Sequence, residues 1–181
     1  MLNPRVAKAL NEQIVKEYYS AWLYLQMAAW FERENLKGFA QWLRIQAQEE
    51  SCHGLIFYNY ICDRGGDVKL GAVGAPDQSF KSALDVFERG LKHEYTVTAS
   101  INDIMDVAVK ERDFATQSML KWFVEEQVEE EANFGEISSK LKLLGAKAGD
   151  GMLFLDKELG ARAFSLPPPL VGKFGAVAAA P

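Results

Sequence analysis

A chain of 181 residues is long enough to bury the core of one well-packed domain. With 20 Lys and Arg against 25 Asp and Glu, its formal charge of −5 argues against a nucleic-acid binder, and 49% hydrophobic residues exclude a disordered acidic tail. Two histidines (His53, His93) and two cysteines (Cys52, Cys62) are too few and too scattered for a structural zinc module.

The first residues are interrupted by Arg5, Lys8, Glu12 and Lys16, so no continuous apolar leader is expected. No uncharged apolar run reaches the roughly 18 residues of a membrane span. Asn3-Pro4 reads as a helix cap followed by a first-turn proline. Leu10, Ile14, Ala21, Tyr24 and Ala28 then repeat at three- and four-residue spacing, predicting a helix to about residue 35. A second helix opens near Gly38 and stops at Gly65-Gly66. Cys52 and Cys62 lie ten residues apart on it, roughly 15 Å by helical rise. That separation forbids a disulfide, and reduced thiols without a leader point to the cytoplasm.

Residues 67–79, with Gly71, Gly74 and Pro76, read as a long link. A third helix is predicted from about Lys81 to Arg112, and a fourth from Asp113 to Leu144. After Gly145, Gly149 and Gly151, the stretch MLFLDKELGARAF predicts a short fifth helix. The chain divides into a helical domain, 1–165, and a Pro/Gly/Ala-rich tail, 166–181, expected to hold little structure. Two tight helical hairpins joined by one long link imply an all-α four-helix bundle with a long crossover.

Each apolar stripe is broken near the middle of its helix by an ionisable group. Glu17 falls between Ile14 and Ala21. The second stripe runs Leu43, Glu50, His53, Phe57, and the third Phe87, Leu91, Glu94, Thr98, Ile101. The fourth runs Leu120, Phe123, Gln127, Glu130, Phe134, Ile137. Burying one unpaired carboxylate costs several kcal/mol, and four in one core repel each other. No basic residue lies on these stripes near the centre, so a cation from outside the chain is expected there.

The spacing sharpens this. Glu17 to Glu50 and Glu94 to Gln127 are each 33 residues, and His53 and Glu130 follow three residues later. The two halves are related by an offset of 77, which also pairs Tyr18 with Tyr95, Leu43 with Leu120, Glu49 with Glu126 and Phe57 with Phe134. Each hairpin offers one carboxylate from its first helix and an i, i+3 pair from its second, the ligand pattern of a bundle di-iron site with the second Glu-x-x-His altered to Gln-x-x-Glu. Four carboxylates balance two divalent ions, and oxygen-rich ligation with a single imidazole suits Fe(II) or Mn(II). His93 neighbours Glu94 but lies off the stripe, which favours a surface or supporting role over ligation. Cys52 reads as a small buried hydrophobe. Trp22, Trp30, Trp42 and Trp122 read mostly as packing, with Trp122 also placed to quench radicals.

With these residues in hand, the chain resembles the non-haem ferritins of bacteria and archaea over nearly all of residues 1–165. The resemblance is carried by LNEQIVKEYYSAWLYLQMAAWF, QAQEESCH, KHEYTVTASIN, LKWFVEEQVEEE and FLDKELGARA. It implies a ferritin-like four-helix bundle with a short C-terminal fifth helix and a ferroxidase centre within each subunit. One iron would be held by Glu17, Glu50 and His53, the other by Glu50, Glu94 and Glu130, with Glu50 bridging. Gln127 matches a supporting glutamine on the dioxygen side, and Tyr24 a tyrosine beside the centre that donates a hydrogen bond or an electron. A third iron site toward the cavity would use Glu49, Glu126 and Glu129 with Glu130; a solvated acidic face is the alternative for these residues.

The implied function is iron storage and detoxification. Fe(II) is oxidised by dioxygen or hydrogen peroxide, and ferric mineral is kept in a homo-oligomeric cage of about 24 subunits with closed symmetry. The fifth helix, with Met152, Leu153, Phe154 and Leu155, would meet its copies at the four-fold axes. No haem is expected, because Glu130 and Cys52 stand where bacterioferritins have a histidine and a haem-ligating methionine. The Cys-x-x-Cys of rubrerythrins is absent, and the fifth helix departs from the mini-ferritins. Neither nucleic acid nor membrane is an expected partner. The alternative is a di-metal oxidoreductase or peroxide scavenger without storage.

Overall fold

The computed structural model describes residues 2–145 and 149–173. Four long helices, α1 (Pro4–Arg33), α2 (Lys37–Asp63), α3 (Ala83–Lys110) and α4 (Phe114–Leu144), are followed by a short α5 (Gly149–Leu159). α1 packs along α2 and α3 along α4, the two hairpins meet through α1 and α3, and α5 lies against α2. No strand occurs among the described residues. No helix there is long and apolar enough to cross a membrane.

The helix ends follow the local chemistry. Asn3 Oδ1 accepts from the Arg5 amide at 2.8 Å, with Pro4 in the first turn. Ser82 and Asp113 cap α3 and α4 by accepting from the amides of Asp85 and Thr116, each at 3.1 Å. Both hairpins turn through one non-glycine residue in the left-handed region, Asn35 (φ 59°) and Arg112 (φ 54°). These two positions are themselves 77 residues apart, so the internal repeat extends to turn geometry. Asn11 straps the crossover to α1, donating to the Asp67 carbonyl at 3.1 Å and accepting from the Lys69 amide at 2.5 Å.

α2 is the exception, since Leu36 at its N-terminus offers no capping side chain. Asp156 of α5 serves instead, accepting from the amides of Gly38 and Phe39 at 2.8 and 3.0 Å. The approach is so close that a Cβ on Gly38 would sit 1.6 Å from the Asp156 carbonyl oxygen.

The core is two apolar clusters separated by a polar belt. One gathers Met27, Phe31, Phe39, Trp42, Phe87, Phe134, Leu155 and Leu159. The other gathers Val6, Leu10, Ile14, Phe57, Ile61, Ile101, Leu120, Phe123 and Leu170. Three expectations are corrected. The fifth helix stops at Leu159 rather than near Phe164, because Gly160 sits against Gly38 (3.2 Å from its would-be Cβ to the Gly38 Cα), where the chain turns. The tail is not loose up to residue 173: Leu170 is 1% exposed within the second cluster, and Lys173 pairs with Asp63 at 2.7 Å. Residues 174–181 of that tail lie outside the described residues. Trp22 is 55% exposed rather than packed, whereas Trp30 and Trp42 are buried.

Candidate metal centre

The polar belt crosses the bundle at mid-length, and every helix of the bundle contributes to it. Glu17, Glu50, His53, Glu94, Gln127 and Glu130 are all buried. The stripe positions that looked anomalous are therefore core positions, and the helical period alone turns them inward. One ligand atom from each of Glu17, Glu50 and His53 lies within 4.8 Å of the others. Glu94 and Glu130 enter the same belt from α3 and α4, with oxygens directed at hydrogen-bond donors.

Each carboxylate has a defined partner or a defined lack of one. Glu17 Oε1 accepts from Gln13 Nε2 at 2.8 Å. Glu94 Oε1 accepts from the Tyr24 hydroxyl, and its Oε2 from Gln127 Nε2 at 3.1 Å. Glu130 Oε2 accepts from Gln46 Nε2 at 2.6 Å. Glu17 Oε2, Glu50 Oε2 and His53 Nε2 are buried with no hydrogen-bond partner. His53 Nδ1 lies 3.4 Å from Glu50 Oε2 without hydrogen-bond geometry, and Nε2 is 3.8 Å from Glu126 Oε1. Three orphaned Lewis-basic atoms on three converging side chains are what a divalent ion would satisfy, and the residues present fit one.

The electrostatics agree. Burial holds Glu17 and Glu94 above the ordinary carboxylate range. Glu50 and Glu130 are pushed well above it, first by burial and then by the Glu94 carboxylate. Each of these shifts favours the protonated acid, so a cation that binds among them competes with protons. The Tyr24 phenol is also raised well above its usual value by burial and by Glu94, so it stays a donor. His93 is lowered to about 4 by burial and pairs with Ser20 Oγ at 2.8 Å, away from the ligand group.

The outer acids are arranged differently. Glu49 and Glu126 are half-buried and Glu129 is exposed, and these three do not converge as the inner three do. Instead Glu49 Oε2 accepts from Arg162 Nη2 at 2.6 Å. Four contributors escaped the stripe reading. Gln13, Gln46 and Ser100 are buried polar residues within the belt, and Arg162 reaches it from beyond α5. Gln13 and Gln46 each stand four residues before a buried glutamate of the belt, Glu17 and Glu50, a signal the stripes do carry.

A sequence model of the ferritin-like domain matches residues 7–144 of this geometry. The chain belongs to the ferritin family. Among relatives of this ferritin-family chain, the bacterial non-heme ferritin of Staphylococcus aureus (strain USA300) is 40% identical over 164 residues, covering 91% of this chain and 98% of the relative. That of Staphylococcus saprophyticus is 43% identical over the same length and shares. A ferritin of Archaeoglobus fulgidus engineered to a closed form superposes with a TM-score of 0.89 at 45% identity, covering 91% of this chain and 100% of the other. The open-pore ferritin of the same organism superposes at 0.88 and 45% identity, covering 90% and 98%. These neighbours share the bundle and the short C-terminal helix of the ferritin fold.

Proposed function

We propose that the chain is an iron-storage ferroxidase that oxidises Fe(II) at a di-iron centre within each subunit and keeps the ferric product as mineral inside a homo-oligomeric cage. The observation that carries this is the trio of orphaned buried atoms, Glu17 Oε2, Glu50 Oε2 and His53 Nε2, amid five buried ionisable ligand groups. Iron is the substrate. One Fe(II) is taken by Glu17, Glu50 and His53, and the second by Glu50, Glu94 and Glu130. Four carboxylates neutralise two divalent ions, and their hard oxygens favour the trivalent product.

Two Fe(II) give up one electron each; dioxygen takes both electrons and two protons and leaves as hydrogen peroxide. Pairing the donors avoids a one-electron oxygen product. Tyr24 donates to one oxygen of Glu94 and Gln127 to the other, fixing the plane of the carboxylate that the second ion would meet. Gln46 does the same for Glu130. A third cation would be taken further outward by Glu49, Glu126, Glu129 and Glu130, which must draw together to hold it, on the way from the centre to the mineral. The exposed acids Glu125 and Glu129 draw cations toward this group.

Storage requires an enclosed volume, and the exposed apolar residues support assembly. Leu153 and Phe154 on α5 are 64% and 71% exposed, more apolar surface than a lone subunit tolerates. A closed cage of about 24 copies buries them at symmetry axes. The test is to add Fe(II) in air to apo-protein and measure particle size and soluble iron per subunit. A large hollow particle holding many irons per subunit supports storage. A small oligomer, or uptake that stops at two irons, identifies instead a di-metal oxidoreductase or peroxide scavenger. Glu50→Ala should abolish rapid oxidation, and an unchanged rate rejects the centre.

A further inference from the structure

The acidic belt is not wholly without a cation of its own. Beyond α5 the chain turns at Gly160 and brings Arg162 back over α2. There its guanidinium lies 4.7 Å from the centroid of the buried Trp42 ring. One arm reaches Glu49 Oε2 at 2.6 Å, and the other donates to Gln46 Oε1. Gln46 is fully buried and passes the contact on, its amide donating to Glu130 Oε2 at 2.6 Å. A single side chain therefore touches one outer acid directly and one inner acid through one amide. The aromatic face below and the two acceptors ahead fix its plane, as a planar fork requires and an ammonium would not.

This matters for the third cation. Among the described residues Glu49, Glu126 and Glu129 are not brought within 4.8 Å of one another as Glu17, Glu50 and His53 are, and Glu49 is paired with Arg162 at 2.6 Å. A carboxylate oxygen shared with a guanidinium is a weaker donor to a metal ion than one held by a neutral amide, because the two cations compete for the same charge. Resting on the iron-handling reading above, we propose that Arg162 is a positioning residue that holds Glu49 and, through Gln46, Glu130, and that a third cation gains Glu49 Oε2 only by displacing it. The third site is thereby made weaker than the inner two by design of the fold. An ion passing outward meets a ligand that can be returned to Arg162, which favours release toward the mineral over retention.

The direct test uses Zn(II), a divalent ion that cannot be oxidised, titrated calorimetrically into the assembled apo-protein. Wild type should bind two strong equivalents per subunit and a weaker third. Arg162→Gln removes the competing charge, and the third equivalent should tighten about tenfold, the effect expected of one partly buried charged hydrogen bond. Arg162→Lys, which returns a positive charge beside Glu49, should bring the third affinity back to within about threefold of wild type. Loss of packing over Trp42 alone would not be rescued in this way. Two strong equivalents with a third that is unchanged or weaker in Arg162→Gln overturns the proposal, as does the absence of any third equivalent in both proteins. A wild type lacking the two strong equivalents instead defeats the centre itself and the proposal with it. Should Arg162→Gln fail to assemble, crystals of the wild-type protein soaked in Zn(II) decide the matter. Arg162 must stand more than about 4 Å from Glu49 when zinc occupies the third site, the distance beyond which an ion pair is broken. An Arg162–Glu49 pair persisting beside a bound third zinc rejects displacement.

Discussion

Glu50→Gln separates what the centre does from what it does to stability. Glu50 is buried, one oxygen is orphaned, and burial together with the Glu94 and Glu17 carboxylates drives its affinity for a proton well above the ordinary value near 4.5. A group whose proton affinity is raised by folding is an acid the folded state prefers neutral. Its stabilising effect is full below about pH 4.5 and is lost as pH rises through the raised value. Glutamine has the shape of the protonated acid and no charge to lose. The metal-free variant should therefore be more stable than wild type at pH 8, by about 1–2 kcal/mol, the scale found when a buried uncompensated ion is replaced by a neutral group. An unfolding entropy near 2.1 cal/mol/K per residue over 181 residues comes to about 0.38 kcal/mol/K, so Tm should rise by about 3–5 °C. At pH 5 the gain should shrink. Chelator-treated protein, melted at both pH values and at one protein concentration, gives the numbers. Adding Zn(II) should then stabilise wild type far more than the variant. A variant that is less stable than wild type at pH 8, or that keeps the full zinc-induced gain, refutes the view that Glu50 is a ligand held in readiness.

Other outcomes follow from the same geometry. Because burial favours the protonated form of the inner acids, divalent binding should release protons and strengthen from pH 6 to pH 8; calorimetry in buffers of different ionisation enthalpy counts them, and no release contradicts the assignment. Tyr24→Phe strips Glu94 Oε1 of its donor, which should slow Fe(II) oxidation several-fold and cost about 1–3 kcal/mol of stability, checked by stopped-flow absorbance and thermal melts. Gly38→Ala forces a methyl group into the Asp156 backbone, so α5 should leave α2 with a loss of about 2 kcal/mol or more, and light scattering should report impaired assembly. Asn11→Ala unpins the crossover and should make it a site of early proteolytic cleavage; a crossover as resistant as wild type shows that other contacts suffice.

The four long helices and their inward acids are legible because they depend on local rules, the helical period and the caps at Asn3 and Asp113. Gln13 and Gln46 carry a local signal, four residues before Glu17 and Glu50, whereas the other features that escape are non-local. Gln46 has no counterpart in the internal repeat, since Phe123 stands at the matching position. Arg162 was invisible for a different reason: a search for basic residues along the stripes finds none, yet a chain that doubles back beyond α5 delivers one from outside them. Asp156 as the cap of α2 and Leu170 as a core residue likewise depend on where a short helix lands, which periodicity cannot state. Trp22 misled because an aromatic near a stripe reads as core whether it faces a neighbour within the subunit or open space.

The division of the core has a consequence for turnover. Aromatic and aliphatic packing clamps the helices on both sides of the belt, so the backbone around the ligands is held by contacts that no ion supplies. In a zinc finger the metal is the keystone, and its loss collapses the arch. Here the arch stands on its own piers. A site that passes on each ion it receives, as proposed above, would gain from that independence. Emptied of ions, such a scaffold would keep its shape for the next ones.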